Sequence, residues 1–133
     1  MLSGRAGLRG VRALLFEARQ TLPRFRRIGR REKFDLSPGA KVYKNDWFIV
    51  YARGNRVGIS RLGITVSKRV APGAPSRNFA KRLVRESFRR SFPAGCALNV
   101  IVRVRRQLDR KSANDGVVAL HQLLRDVQAK CGI

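Results

Sequence analysis

Residues 61–92 read RLGITVSKRVAPGAPSRNFAKRLVRESFRRSF, and within them a strand pattern gives way to a breaker and then to a helix. Leu62, Ile64 and Val66 alternate with Gly63, Thr65 and Ser67, the period of two of a half-buried strand. Two prolines and a glycine make a loop of Val70-Ala71-Pro72-Gly73-Ala74-Pro75. Ser76 to about Phe92 then carries the longest helical pattern in the chain, stopped by Pro93-Ala94-Gly95.

Upstream, Lys41-Val42-Tyr43 and Trp47-Phe48-Ile49-Val50-Tyr51-Ala52 are aromatic and β-branched, bounded by Asn45-Asp46 and Gly54-Asn55, as strands are. The second of these is almost wholly apolar, which predicts that both its faces are covered. Before them, Arg30 to Leu36 allows a short helical turn ending at Ser37-Pro38-Gly39. Downstream, Ala97 to Val104 reads as a β-branched strand. A last helix follows with Val117, Leu120, Leu124 and Val127 on one stripe and Asn114 or Asp115 as its cap. The order helix, strands, helix, strand, helix predicts an α+β fold, a sheet of about four strands packed with helices in a ribosomal-protein-like two-layer sandwich. No internal repeat is visible.

The chain has 133 residues, enough for one compact domain, with 30 Lys plus Arg against 8 Asp plus Glu, a formal net charge of +22. A hydrophobic fraction of 44% lets it build a core, unlike a basic disordered tail. Arginine supplies 23 of the 30 cations, and its planar fork suits phosphate and stacks on bases, pointing to nucleic acid. Residues 1–31 hold nine Arg and one acid, Glu17. We read 1–23 as a basic, flexible arm and 24–133 as the domain; the arm also shares the arginine richness of an organelle transit peptide, though serine is scarce. Cys96 and Cys131 stand 35 residues apart, and with one His, His121, they offer no metal-ligand set. Reduced thiols, a cytoplasmic location and no membrane contact are expected, since no apolar run reaches the ~18 residues of a membrane span.

On a helical projection Arg77, Lys81, Arg85, Asn78, Arg89 and Arg82 fall within an arc of roughly 140°, and Phe79, Leu83, Ser87, Ala80 and Val84 lie on the other side. Phe88 alone falls near the cationic arc and predicts a wedge against the sheet. Solvated helix faces usually mix charges of both signs, whereas residues 77–90 hold six cations and one acid, Glu86. Like charges three and four apart repel, and a polyanion relieves that repulsion. Asn78, a neutral amide among them, suits a phosphate oxygen, a base edge or a metal-bound water, or else caps the helix start.

The run Arg77-Asn78-Phe79-Ala80-Lys81-Arg82-Leu83-Val84-Arg85-Glu86-Ser87-Phe88-Arg89 resembles the Arg-Asn-Arg helix of the bacterial ribonuclease P protein family. Gly63-Ile64-Thr65-Val66-Ser67-Lys68-Arg69 resembles the strand and basic pair preceding it, Phe48-Ile49-Val50-Tyr51 the earlier Phe-Val-Leu-Tyr strand, and Arg31-Glu32-Lys33-Phe34 the first helix. The similarity spans about residues 24 to 128. Two departures stand out: Phe79 replaces the second Arg of the signature, and Leu36-Ser37-Pro38-Gly39 interrupts where the family continues its helix.

The resemblance implies an accessory subunit of an endoribonuclease that removes the 5′ leader of precursor tRNA, with catalysis and most of the Mg²⁺ belonging to the RNA. Its implied partners are the catalytic ribonuclease P RNA and precursor tRNA; no protein partner is required. By matching position, Lys68, Arg69, Arg77, Asn78, Lys81, Arg82, Arg85 and Arg89 would face RNA, and Phe34, Ile49 and Tyr51 would line the leader cleft. Residue chemistry agrees, because single strands are held by cationic grooves with aromatic faces, and Tyr51 suits a cleft while Phe48 suits a core. One His and eight scattered acids leave no acid–base or metal set for catalysis by the protein itself. A ribosome- or nucleoid-associated nucleic-acid-binding protein accounts for the charge but not for the paired motifs.

Overall fold

The computed structural model describes residues 22–28 and 39–129. Its strands are β1 (Lys41–Lys44), β2 (Phe48–Gly54), β3 (Arg61–Thr65) and β4 (Leu98–Val104), and its helices α1 (Ala74–Ser91) and α2 (Ala113–Gln128); a 3-10 turn covers Arg24–Arg26. The strands form one sheet in the order β1-β2-β4-β3. β1, β2 and β4 pair antiparallel, while β3 runs parallel to β4. A parallel pair needs a long crossover, and α1 supplies it. The α+β plan expected from the sequence is the one observed; the expected turn over 30–36, with Phe34, lies outside the described residues.

Alternation along the strands divides the sheet into two faces. Phe48, Val50 and Ala52 of β2, Leu62 of β3, and Val100, Val102 and Val104 of β4 are buried against the helices. α1 lies over β3 and beside α2, which crosses β2 and β1. From the helices Ala80, Val84, Phe88, Leu120, Leu124 and Val127 close the same core, each large side chain contributing about 1.5–3 kcal/mol by its burial. Phe88, wholly buried, does act as the wedge its position predicts, stacking on Phe92 with ring centroids 4.8 Å apart. Leu22 is wholly buried in this core, two residues before the expected start of the domain at residue 24.

Three local expectations are corrected. Among the described residues β2 is covered by helices on one face only: on the other, Ile49 and Tyr51 remain half-exposed, with Ile28 and Ala40 packed beside Tyr51, because both helices lie on the opposite side of the sheet. Asn114 and Asp115 sit inside α2, which starts after Ser112. Ahead of it the Asp109 carboxylate accepts the amides of Lys111 and Ser112, both at 2.9 Å, so the order-making acid belongs to the preceding turn. Cys96, expected to be a reduced thiol, is buried and disulfide-bonded; spacing along the chain carries no information on which sulfurs approach in space.

The start of the described chain is held by a buried cation. Arg26 donates from Nε to the Ser60 carbonyl and from Nη2 to the Ser60 hydroxyl and the Phe92 carbonyl, with its guanidinium 5.3 Å from the Phe88 ring centroid. It is a structural clasp, and burial lowers its pKa. The next residue forms a bridge with β3, Arg27 to Leu62, and Ile28 donates its amide to the Leu62 carbonyl at 2.8 Å.

Candidate nucleic-acid interface

Among the described residues two surfaces gather cations with few acids beside them. The first is α1 with the turn before it. Gly73 is the N-cap and Pro75 sits in the first turn, where its missing N–H costs nothing. Asn78, four residues into the helix, is exposed and does not cap it, which removes one of its alternative roles. Lys68 and Arg69 are exposed in the turn after β3, and Arg82 is exposed on the helix. Lys81 and Arg85 are half-buried. Burial, and then the nearby charge of Arg27, lower the Arg85 guanidinium from its ordinary value, so two cations stand near each other there.

Two of the expected cations have internal partners. Arg77 donates from Nη1 to the carbonyls of Ala71 and Pro72, both at 2.9 Å, and so clasps the loop that aims Lys68 and Arg69. Arg89 is paired with Glu86. Phe79, standing where the signature cation was expected, packs against Leu83 and against Ala113 and Val117 of α2. It fastens the two helices together, which explains how the chain uses an apolar group there.

The second surface is the face of the sheet turned away from the helices. The register lines its side chains in three rows. Val42, Tyr51, Ile101 and Gly63 form the middle row. On one side of it stand Lys44, Ile49, Arg103 and Thr65, and on the other Arg53, Asn99 and Arg61. An apolar and aromatic strip thus runs between two basic ones, and none of the four strands contains an acid. Ile28 and Ala40 pack on Ile101 and Tyr51 at the centre. Such a surface has the parts a single-stranded nucleic acid needs: cations for phosphates and a flat face for a base.

The structure therefore brings Ile49 and Tyr51 together on one face, as expected, and puts Phe48 in the core. Phe34 lies outside the described residues. Sequence reading missed Lys44, Arg53, Arg61 and Arg103. Alternation from Tyr51 reaches Arg53 directly, but the other three require the strand register. Arg103 shares its row with Ile49 and Thr65 on this face.

A sequence profile of the family described as ribonuclease P matches residues 22–128. The ribonuclease P protein component of Chromobacterium violaceum is 34% identical over 112 residues, 81% of this chain and 92% of its own. That of Aromatoleum aromaticum is 37% identical over 83 residues, 60% of this chain and 70% of its own. Among solved structures, the RNase P protein from Thermotoga maritima aligns with a TM-score of 0.57 at 28% identity, covering 78% of this chain and 96% of that one. A Staphylococcus aureus RNase P protein mutant with defective mRNA degradation activity aligns with a TM-score of 0.61 at 27% identity, covering 78% and 89%.

Proposed function

The chain belongs to the ribonuclease P protein family, and we propose that within that ribonucleoprotein it holds the 5′ leader of precursor tRNA on the open face of its sheet and the catalytic RNA on α1 and the Lys68-Arg69 turn. The observation that carries this reading is the helix-free face of the sheet, whose strands hold no acid and which sets Tyr51 between two basic rows. A leader varies from one tRNA to the next, so a seat for it must tolerate sequence. Backbone cations and one stacking ring provide that, at about 1–3 kcal/mol per stacked base.

On α1, Lys81, Arg82 and Arg85 supply charge to a phosphodiester backbone and Asn78 a neutral donor or acceptor among them. Arg77 positions the neighbouring basic turn through its two carbonyl bonds. We assign bond cleavage and Mg²⁺ to the RNA. Among the described residues no three His, Cys, Asp or Glu side chains gather where they could hold a metal ion, so no step is routed through a protein-held metal. The protein's part is to bind, to orient and to neutralise.

Reconstitution tests this. Added to a bacterial ribonuclease P RNA at low Mg²⁺, the protein should increase cleavage of a precursor tRNA and lower its KM. Tyr51→Ala and Ile49→Ala should raise KM for precursor while leaving the affinity for leaderless tRNA unchanged. No gain in cleavage or in precursor affinity on adding the protein would sink the reading.

A further inference from the structure

The row of the open face nearest the end of β2 places an amide between two guanidiniums: Arg53, Asn99 and Arg61 stand side by side on β2, β4 and β3. The orientation of that amide is fixed from behind by a second one. Asn55 Oδ1 accepts the backbone amides of Val57 at 3.0 Å and Gly58 at 3.3 Å, which identifies it as the oxygen. Its Nδ2 then donates to the Ile59 carbonyl and to Asn99 Oδ1, each at 2.9 Å. A group that can only donate must meet an oxygen, so the Asn99 oxygen is committed to Asn55 and its Nδ2 faces away. That nitrogen is not among the buried polar atoms lacking a partner, and Asn99 is half-exposed, so its N–H groups are offered at the surface of the cleft.

We infer that Asn99 reads a base of the single strand seated on this face, as a donor only. A donor-only amide donates to a keto oxygen and rejects an exocyclic amino group in the same place. Uracil and guanine present O4 and O6 there, whereas adenine and cytosine present N6 and N4 amino groups. One leader position is therefore read as keto against amino, while Arg53, exposed beside it, takes an adjacent phosphate without regard to sequence. This inference rests on the reading of the open face as the leader's seat. It adds a specific contact to an otherwise tolerant surface, and its two supports, Asn55 and the loop to Ile59, lie outside the surface itself.

The test uses the reconstituted holoenzyme and precursor tRNAs carrying each of the four bases at each leader position in turn. With the unaltered chain, one position should favour U and G over A and C by about tenfold in affinity, within the range of a single base contact. Asn99→Ala should flatten that position and leave the others as they were. Asn99→Asp, which keeps the oxygen toward Asn55 and turns an acceptor outward, should reverse the order at the same position on top of a general weakening. Arg53→Ala, with Asn99 in place, should weaken all four bases alike. An identical base profile in the unaltered chain and Asn99→Ala, or an equal loss for all four bases in Asn99→Ala, overturns the assignment. In either case a KM effect of Tyr51→Ala confined to precursor still supports the leader's seat, and its absence separates failure of that reading from failure of this one.

Discussion

Glu86 and Arg89 form a 2.9 Å ion pair within α1, in which the carboxylate is 2% exposed and the guanidinium 20%. The single acid of the basic helix is thus turned inward, and it takes one of the six cations with it. Arg89→Ala strands a carboxylate away from water and should cost about 2 kcal/mol in denaturant unfolding. Adding Glu86→Gln should recover most of that loss, and Arg82→Ala, at an exposed position, should leave stability unchanged.

Phe79 belongs to the seam between the helices. Replacing it with Ala removes its contacts with Ala113 and Val117, a loss of about 2 kcal/mol, less than for a fully buried ring. Phe79→Arg, which restores the cation found in the family's signature, should destabilise at least as much while steepening the salt dependence of RNA binding by about 0.7 to 0.9 in log–log slope. Thermal unfolding and a salt titration read the two effects separately.

His121 makes stability depend on pH. Its Nε2 is buried without a hydrogen-bond partner, and burial, followed by the charges of Arg125 and Arg90, lowers its pKa below the ordinary 6.5. The unfolded chain then binds the proton more readily than the folded one. Stability is fully present above about pH 6.5 and is lost as pH falls toward the lowered folded value. Tm should drop between about pH 7 and pH 5.5, and His121→Gln should show a smaller drop over that interval.

Gly116 sits in α2 where a methyl group would collide with Leu108 and approach Trp47 at 3.5 Å. Ala is the better helix former by about 1 kcal/mol, yet Leu108 is buried and the crowding costs about 1–3 kcal/mol. Gly116→Ala should lower Tm in the unaltered chain and raise it in a Leu108→Ala background, a sign reversal that a double-mutant cycle measures.

The strands, both helices and the cationic side of α1 were legible because each rests on local period and on breakers such as Pro93. Ile49 and Tyr51 were legible for a similar reason, being two residues apart in a strand. What was not legible depends on which strands become neighbours. Arg61 joins Asn99 and Arg53 only because β4 returns parallel to β3 after the crossover, a pairing that no local pattern encodes. The helix-free side of β2 escaped for the same reason, since an apolar run looks alike whether helices pack on both of its faces or on one. Arg26 looked like one more of the nine arginines in residues 1–31; its burial depends on Ser60 and Phe92, 34 and 66 residues away.

The bridge of Arg27 to Leu62 has a further consequence, for how this protein keeps from pairing with itself. A strand at the rim of a sheet is a template for another chain, and a protein that must wait for its RNA is exposed to that hazard. Along β3 the rim is occupied by Arg27 and Ile28 of the same molecule. The opposite rim, β1, is four residues long and begins and ends in lysine, so a second copy approaching it would meet its own charge. The excess of basic residues thus guards the free protein against aggregation before it meets a nucleic acid.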